Sequence, residues 1–177
     1  MNKIFRSSII SLLFLLVFNT QSQAQVYFGA RVGGVDSNPF PNASVMPFIG
    51  YNADFDTWYL KANLGYLQTI LSEEENRSRT VFSGGFISIT PEFVFTKDRE
   101  NPFKGNIGFS AFFGDYFQPE STFLPGGTVG ISWGFGGDRY SSWELVADMH
   151  LLAAEGEEGT SQGPLHTMAM FGILKRL

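Results

Sequence analysis

From Val26 onward the chain alternates bulky apolar residues with small or polar ones, position by position. The stretch Trp58 to Leu71 shows the rule. Trp58, Leu60, Ala62, Leu64 and Tyr66 fall on one parity, while Tyr59, Lys61, Asn63 and Gly65 fall on the other. A period of two is that of a β-strand with one apolar face and one polar or small face. Eight such runs follow one another: Val26–Gly33, Val45–Phe55, Trp58–Leu71, Thr80–Thr96, Asn106–Phe117, Thr128–Gly136, Ser142–Ala154 and His166–Leu177. No segment carries a helical period. In the eighth run the phase is ambiguous, because Met168 and Met170 compete with Ala169, Phe171 and Ile173.

The connections alternate as well. Asp56-Thr57, Lys97 to Gly105 and Gly137 to Ser141 join the second to third, fourth to fifth and sixth to seventh runs. Gly34 to Ser44, Ser72 to Arg79, Gln118 to Gly127 and Glu155 to Leu165 are generally longer and rich in Glu, Ser, Pro and Asn. Short turns at one end and longer loops at the other are the habit of outer-membrane barrels. On this reading the loops with Glu73–Glu75 and Glu155–Glu158 are external, and Asp56, Asp98 and Arg139 face the periplasm.

Which face lies inside follows from size. The apolar parity holds Phe28, Ile49, Leu60, Leu64, Ile89, Phe109, Ile131, Leu145 and their neighbours, essentially without charge. The opposite parity holds the glycines Gly29, Gly50, Gly65, Gly108, Gly114, Gly130 and Gly134 together with the polar residues. An eight-stranded barrel has a lumen that only side chains can fill, so small residues with a few paired charges suit the inside and the bulky face suits lipid. The expected lumen network comprises Arg31, Asn52, Asp54, Lys61, Asn63, Glu92, Glu144, Asp148 and His150. Phe55, Trp58, Phe93, Phe95, Trp133, Phe135 and Trp143 gather near the periplasmic ends, as an interfacial aromatic girdle would. The fold class expected is an all-β, eight-stranded antiparallel up-and-down transmembrane β-barrel.

In this respect the chain resembles the small eight-stranded bacterial outer-membrane proteins of the OmpA/OmpX-like type, over the whole of residues 25–177. The resemblance implies a location in the cell outer membrane, contact with its lipids, and insertion by the outer-membrane assembly machinery. In that family the last strand usually ends on an aromatic residue read by this machinery. Here the chain closes on Phe171-Gly172-Ile173-Leu174-Lys175-Arg176-Leu177, and Lys175 stands where an apolar residue is expected.

The N-terminus adds the route. Lys3 and Arg6 precede an apolar run from Ile9 to Phe18, and Ser22-Gln23-Ala24 fits a small-x-small cleavage site. Residues 1–24 therefore read as a secretory signal peptide, leaving 25–177 as one barrel domain. Removing Lys3 and Arg6 from the twelve basic residues leaves ten against seventeen acidic ones. An acidic chain without basic patches is a poor nucleic-acid binder. With no cysteine, the chain has no disulfide framework and no thiolate metal site. No cofactor motif is present: the glycine pairs, among them Gly33-Gly34 and Gly136-Gly137, lack the lysine and helix of a phosphate loop.

Candidate chemistry is confined to Glu144, Asp148 and His150, which share the inward parity of the seventh run. They could form an acid–base pair, but no activated nucleophile accompanies them, and an ion-paired lumen is the better reading. Lipid A deacylases of similar size carry a His-x-Ser arrangement that neither His150-Leu151-Leu152 nor His166-Thr167-Met168 matches. The expected protein is a non-enzymatic outer-membrane barrel with four external loops, serving envelope structure, surface interaction with an unidentified ligand, or porin-like transport through a narrow pore. Two alternatives remain: a soluble, secreted lipocalin-like barrel around an apolar ligand, and a lipid-modifying enzyme using His150 or His166. At residue level, a two-residue turn at Asp56-Thr57 would set Asp54 opposite Tyr59, Asn52 opposite Lys61 and Gly50 opposite Asn63, and would bring Lys61 to Glu92 with Asn52 alongside.

Overall fold

The structure is a computed structural model, and it describes residues 25–35, 42–55, 58–70, 82–96, 101–116, 118–136, 143–153 and 165–177. The signal segment 1–24, the Glu73–Glu75 and Glu155–Glu158 loops, and the turn residues Asp56, Thr57, Asp98 and Arg139 lie outside the described residues. Eight strands run in chain order: β1 (Gln25–Val35), β2 (Asn42–Asp54), β3 (Trp58–Ile70), β4 (Phe82–Val94), β5 (Phe103–Tyr116), β6 (Gln118–Phe135), β7 (Trp143–Ala153) and β8 (Leu165–Arg176). Each pairs antiparallel with the next, and β1 pairs with β8, so the sheet closes on itself as an up-and-down barrel. Closure gives every strand a neighbour on both sides, a condition that a bilayer imposes because lipid satisfies no backbone N–H or C=O.

Register follows from the turn chemistry. Phe55 N–H donates to the Trp58 carbonyl at 2.9 Å, and the two rings stack with centroids 4.3 Å apart. From that closure Asp54 pairs with Tyr59, Asn52 with Lys61 and Gly50 with Asn63, as the turn requires. The alternation of apolar and polar residues then maps onto outside and inside. Phe28, Ile49, Leu64, Ile107, Ile131 and Phe171 are exposed on the outer surface, whereas Arg31, Lys61, Glu92, Glu144 and Asp148 are buried within. Two alanines of the outward parity, Ala53 and Ala111, are shielded from solvent. Phe93, Phe95, Trp133 and Trp143 are exposed towards the short-turn end, where the girdle was expected. This outward apolar surface is that of a transmembrane barrel. It is the inverse of the polar exterior that a soluble lipocalin-like barrel needs.

Three expectations require correction. Strand β5 begins at Phe103 rather than Asn106, because the alternation runs back through Lys104 and Gly105. Strand β6 begins at Gln118 rather than Thr128, so most of the expected third external loop is instead strand, with Ser121 to Gly127 pairing with β5 up to a register shift at Asp115/Tyr116. Among the described residues, pairing of β6 with β7 starts only at Gly126, opposite Leu152. Gly114, just below that irregularity, has φ of 154°, a backbone that a side chain rarely adopts. Thirdly, the lumen is not filled only by small and charged residues. In the half away from the short turns, Met46, Leu67, Phe82, Phe86, Phe112, Leu124, Leu152, Met168 and Met170 form one fully buried cluster. Met168 and Met170 thus resolve the phase of β8 inward, and glycine at 33 makes the space, because a Cβ there would press on the Met170 sulfur.

Leu64 is 56% exposed in the outer wall, opposite Ile49 on β2 and Ile87 on β4. Replacing it with arginine should lower the stability of the barrel in phospholipid vesicles by ~2–4 kcal/mol if its position is near the midplane. Reversible denaturant unfolding followed by tryptophan fluorescence measures the loss, and an unchanged midpoint would show that this face does not meet lipid.

Candidate functional site

The polar half of the lumen is built from side chains that successive strands project to the same depth. Glu144 of β7 lies at its centre, wholly buried. Its two oxygens accept from three cations: Lys61 of β3 on one, and Lys104 of β5 at 2.8 Å with Arg176 of β8 at 2.6 Å on the other. Glu92 of β4 takes the second contact of each lysine, at 2.7 Å from Lys61 and 3.3 Å from Lys104. It also accepts from the Ser132 hydroxyl at 3.3 Å. Two carboxylates and three cations thus form a closed network spanning five of the eight strands. In a low-dielectric interior each contact is strong, and any unpaired member would be expensive.

A second group lies towards the apolar cluster. Arg31 of β1 reaches past β8 to Asp148 of β7 at 2.8 Å, with its guanidinium over the Phe48 ring at 4.3 Å. Asn106 donates to the other Asp148 oxygen at 3.1 Å. Glycine at 130, directly beside Asp148 in the β6–β7 ladder, leaves room for that carboxylate, which a Cβ would overlap. Tyr27 leans over Gly50 in the same way, and its hydroxyl donates to Asn63 Oδ1 at 2.5 Å while Asn63 donates to Ser88 at 2.9 Å. His150 packs edge-on against Phe86, ring centroids 4.9 Å apart, where the polar half meets the apolar cluster.

Of the residues expected in the lumen, Lys61, Glu92 and Glu144 share one network, and Arg31 and Asp148 form a separate pair. Asn63 joins Tyr27, and His150 lies close to Arg31 and Asp148 along a common gap. Asn52 is buried beside Lys61 across the β2–β3 ladder, but its side-chain oxygen takes no hydrogen bond from the described residues. Asp54 is only half-buried, two residues nearer the turn. Sequence reasoning missed Lys104 and Arg176. Lys104 had been assigned to a turn, although it shares the parity of Asn106 and Ser110. Arg176 shares the parity of Leu174, which the ambiguous phase of β8 concealed. Lys175, the unexpected charge on the outer parity, lies over the Trp143 ring at 5.2 Å at the turn end of the wall, where a long cationic side chain can reach headgroups. Both histidines are buried in the lumen, His166 edge-on to Phe82 at 5.9 Å, so neither imidazole faces the lipid on which a lipid-modifying enzyme would act.

No protein-family model matches the chain, and no curated protein matches it. Similar solved structures do exist. Neisserial surface protein A superposes with a TM-score of 0.57 at 9% identity, over 87% of this chain and 97% of that one. The N-terminal β-barrel domain of Pseudomonas aeruginosa OprF gives 0.52 at 12% identity, covering 89% of this chain and all of the domain. Ail, the attachment invasion locus protein of Yersinia pestis, crystallised with the heparin analogue sucrose octasulfate, gives 0.50 at 14% identity with 89% and 100% coverage. The fold is therefore that of the small eight-stranded outer-membrane β-barrels.

Glu144→Gln should be the most damaging neutralisation in the lumen, because it weakens the contacts of three buried cations at once. Loss of about 3–5 kcal/mol is expected from breaking such a buried group. Lys61→Met and Glu92→Gln should each destabilise, and the double variant should lose less than their sum. Denaturant unfolding of the four proteins in vesicles gives the coupling, and additivity within ~0.5 kcal/mol would mean that Lys61 and Glu92 are energetically independent.

Proposed function

We propose that this protein is an integral bacterial outer-membrane barrel that displays its external connections at the cell surface and conducts nothing through its centre. In this reading residues 1–24 are removed on secretion, 25–177 are folded into the membrane by the assembly machinery, and the protein is not an enzyme. The observation that carries it is the filling of the lumen along its length. The network of Lys61, Glu92, Lys104, Glu144 and Arg176 crosses the half towards the short turns, and the Met46, Phe82, Phe86, Phe112 and Met170 cluster crosses the other. Between them the gap leaves about 10 Å³ for the centre of a water molecule, roughly one molecule's worth. An ion with its hydration shell has no path there without breaking buried ion pairs.

A filled core transfers function to the loops, whose composition constrains the ligand. Residues 36–41, 71–81 and 154–164 contain seven carboxylates and two arginines. The Ail structure holds a sulfated sugar analogue, but acidic loops of this kind repel polyanions. They suit a basic or neutral surface partner instead. Surface interaction thus ranks above porin-like transport, and envelope structure is compatible with it.

Three measurements test this reading. In planar bilayers the refolded protein should give no stepwise conductance, and discrete openings would overturn the closed lumen. Immobilised heparin should not retain it at physiological ionic strength, and retention would overturn the loop-charge preference. On intact cells a membrane-impermeant maleimide should label Ser72→Cys and spare Thr57→Cys; the opposite pattern would invert the topology.

A further inference from the structure

Where the Arg31–Asp148 pair meets the charge network, several buried polar atoms have no partner among the described residues. Arg31 uses Nη2 on Asp148 and one guanidinium face on Phe48, leaving Nε and Nη1 unpaired. Asn106 uses Nδ2 on Asp148, leaving Oδ1 unpaired. Rotating that amide would set its oxygen against the carboxylate, so the assignment of oxygen and nitrogen is fixed by the neighbour. The Thr128 hydroxyl and both ring nitrogens of His150 are likewise without a partner among the described residues. All four residues are more than nine-tenths buried, they come from β1, β5, β6 and β7, and they line one gap.

Their chemistry selects the occupant. Arg31 can only donate, Asn106 Oδ1 can only accept, a hydroxyl does both, and a neutral imidazole does one of each. An anion would meet the Asn106 carbonyl and the Asp148 carboxylate in the same wall, and a cation would meet Arg31. A molecule that donates and accepts at once satisfies the set, and the space is that of a single water with two to four polar partners. We propose that Arg31, Asn106, Thr128 and His150 form a built hydration site, taking one water as its ligand. That water joins β1 to β5, β6 and β7 through hydrogen bonds and sets which nitrogen of His150 carries the proton. The inference does not depend on what the external loops bind.

The test uses the full mature barrel folded in phospholipid nanodiscs, with labelled histidine, threonine and arginine. Proton-detected NMR should show a cross-peak between a slowly exchanging water and both the His150 ring and the Thr128 methyl group. Thr128→Val keeps the shape and removes the hydroxyl, and Asn106→Leu removes the acceptor; in either variant the His150 cross-peak should fall at least several-fold. Retained heat-modifiability on gels shows that each variant still folds. A wild-type spectrum without the water contact overturns the proposal, as does one in which the Arg31 Nε and Nη1 protons are bonded to Asp148 instead. Full-strength contacts in both variants would also overturn it. Bromide-dependent shifts of the His150 signals, absent with a bulky organic anion, would overturn it in favour of a halide site.

Discussion

A carboxylate held on the axis of a narrow barrel, with no exposure to solvent, dictates much of its surroundings. Glu144 is such a group. Ionised and dry, it is tolerable only if both oxygens are fully occupied by donors. Lys61, Lys104 and Arg176 provide these, and the excess positive charge that they bring is shared with Glu92. Each of these residues fixes the depth of its own strand, because sliding a strand by one position would swing its side chain into lipid. The network therefore pins the register of five strands from the inside, while the backbone ladder pins it along the wall.

The rest of the lumen can be read as two ways of excluding space. Where charged side chains converge, small residues opposite them make room: Gly130 for Asp148, Gly172 for Arg31, Gly50 for Tyr27. Where no charges are present, methionine and phenylalanine fill the width directly. Methionine suits this task, being unbranched and able to settle into an irregular gap against aromatic rings. The change from one filling to the other occurs at His150, whose ring is apolar enough to pack on Phe86 and polar enough to face Arg31 and Asp148.

Much of this was legible from alternation alone. The turn at Phe55–Trp58 sets a register in which parity sorts Lys61 and Asn63 inward and Leu64 outward, and the wall follows it throughout. What escaped was governed by something other than parity. Gln118 to Gly127, with two prolines and two glycines, has loop composition, yet most of it is strand because β5 pairs with it from Ser121 to Gly127. Lys104 was hidden by its neighbours in a polar turn, although Asn106 two positions on shows the same face. The apolar filling of the half away from the short turns was hidden because large residues occur on both parities there, as at Phe112-Phe113 and Met168 to Phe171. Only the partner strands decide between them.

Arg176 is the penultimate residue of the chain, and it closes the network on Glu144 from the strand that also closes the wall against β1. Its neighbour across that seam is Tyr27, whose hydroxyl is tied to Asn63 on β3. The first and last strands therefore meet in two ways at one level, by backbone ladder and through the core. Opening the seam would strip Glu144 of a cation in the same motion that exposes backbone to lipid. A partly zipped barrel gains little from either contribution separately, so closure at this end should be an all-or-none event, completed only once the Arg176 end of β8 is in place.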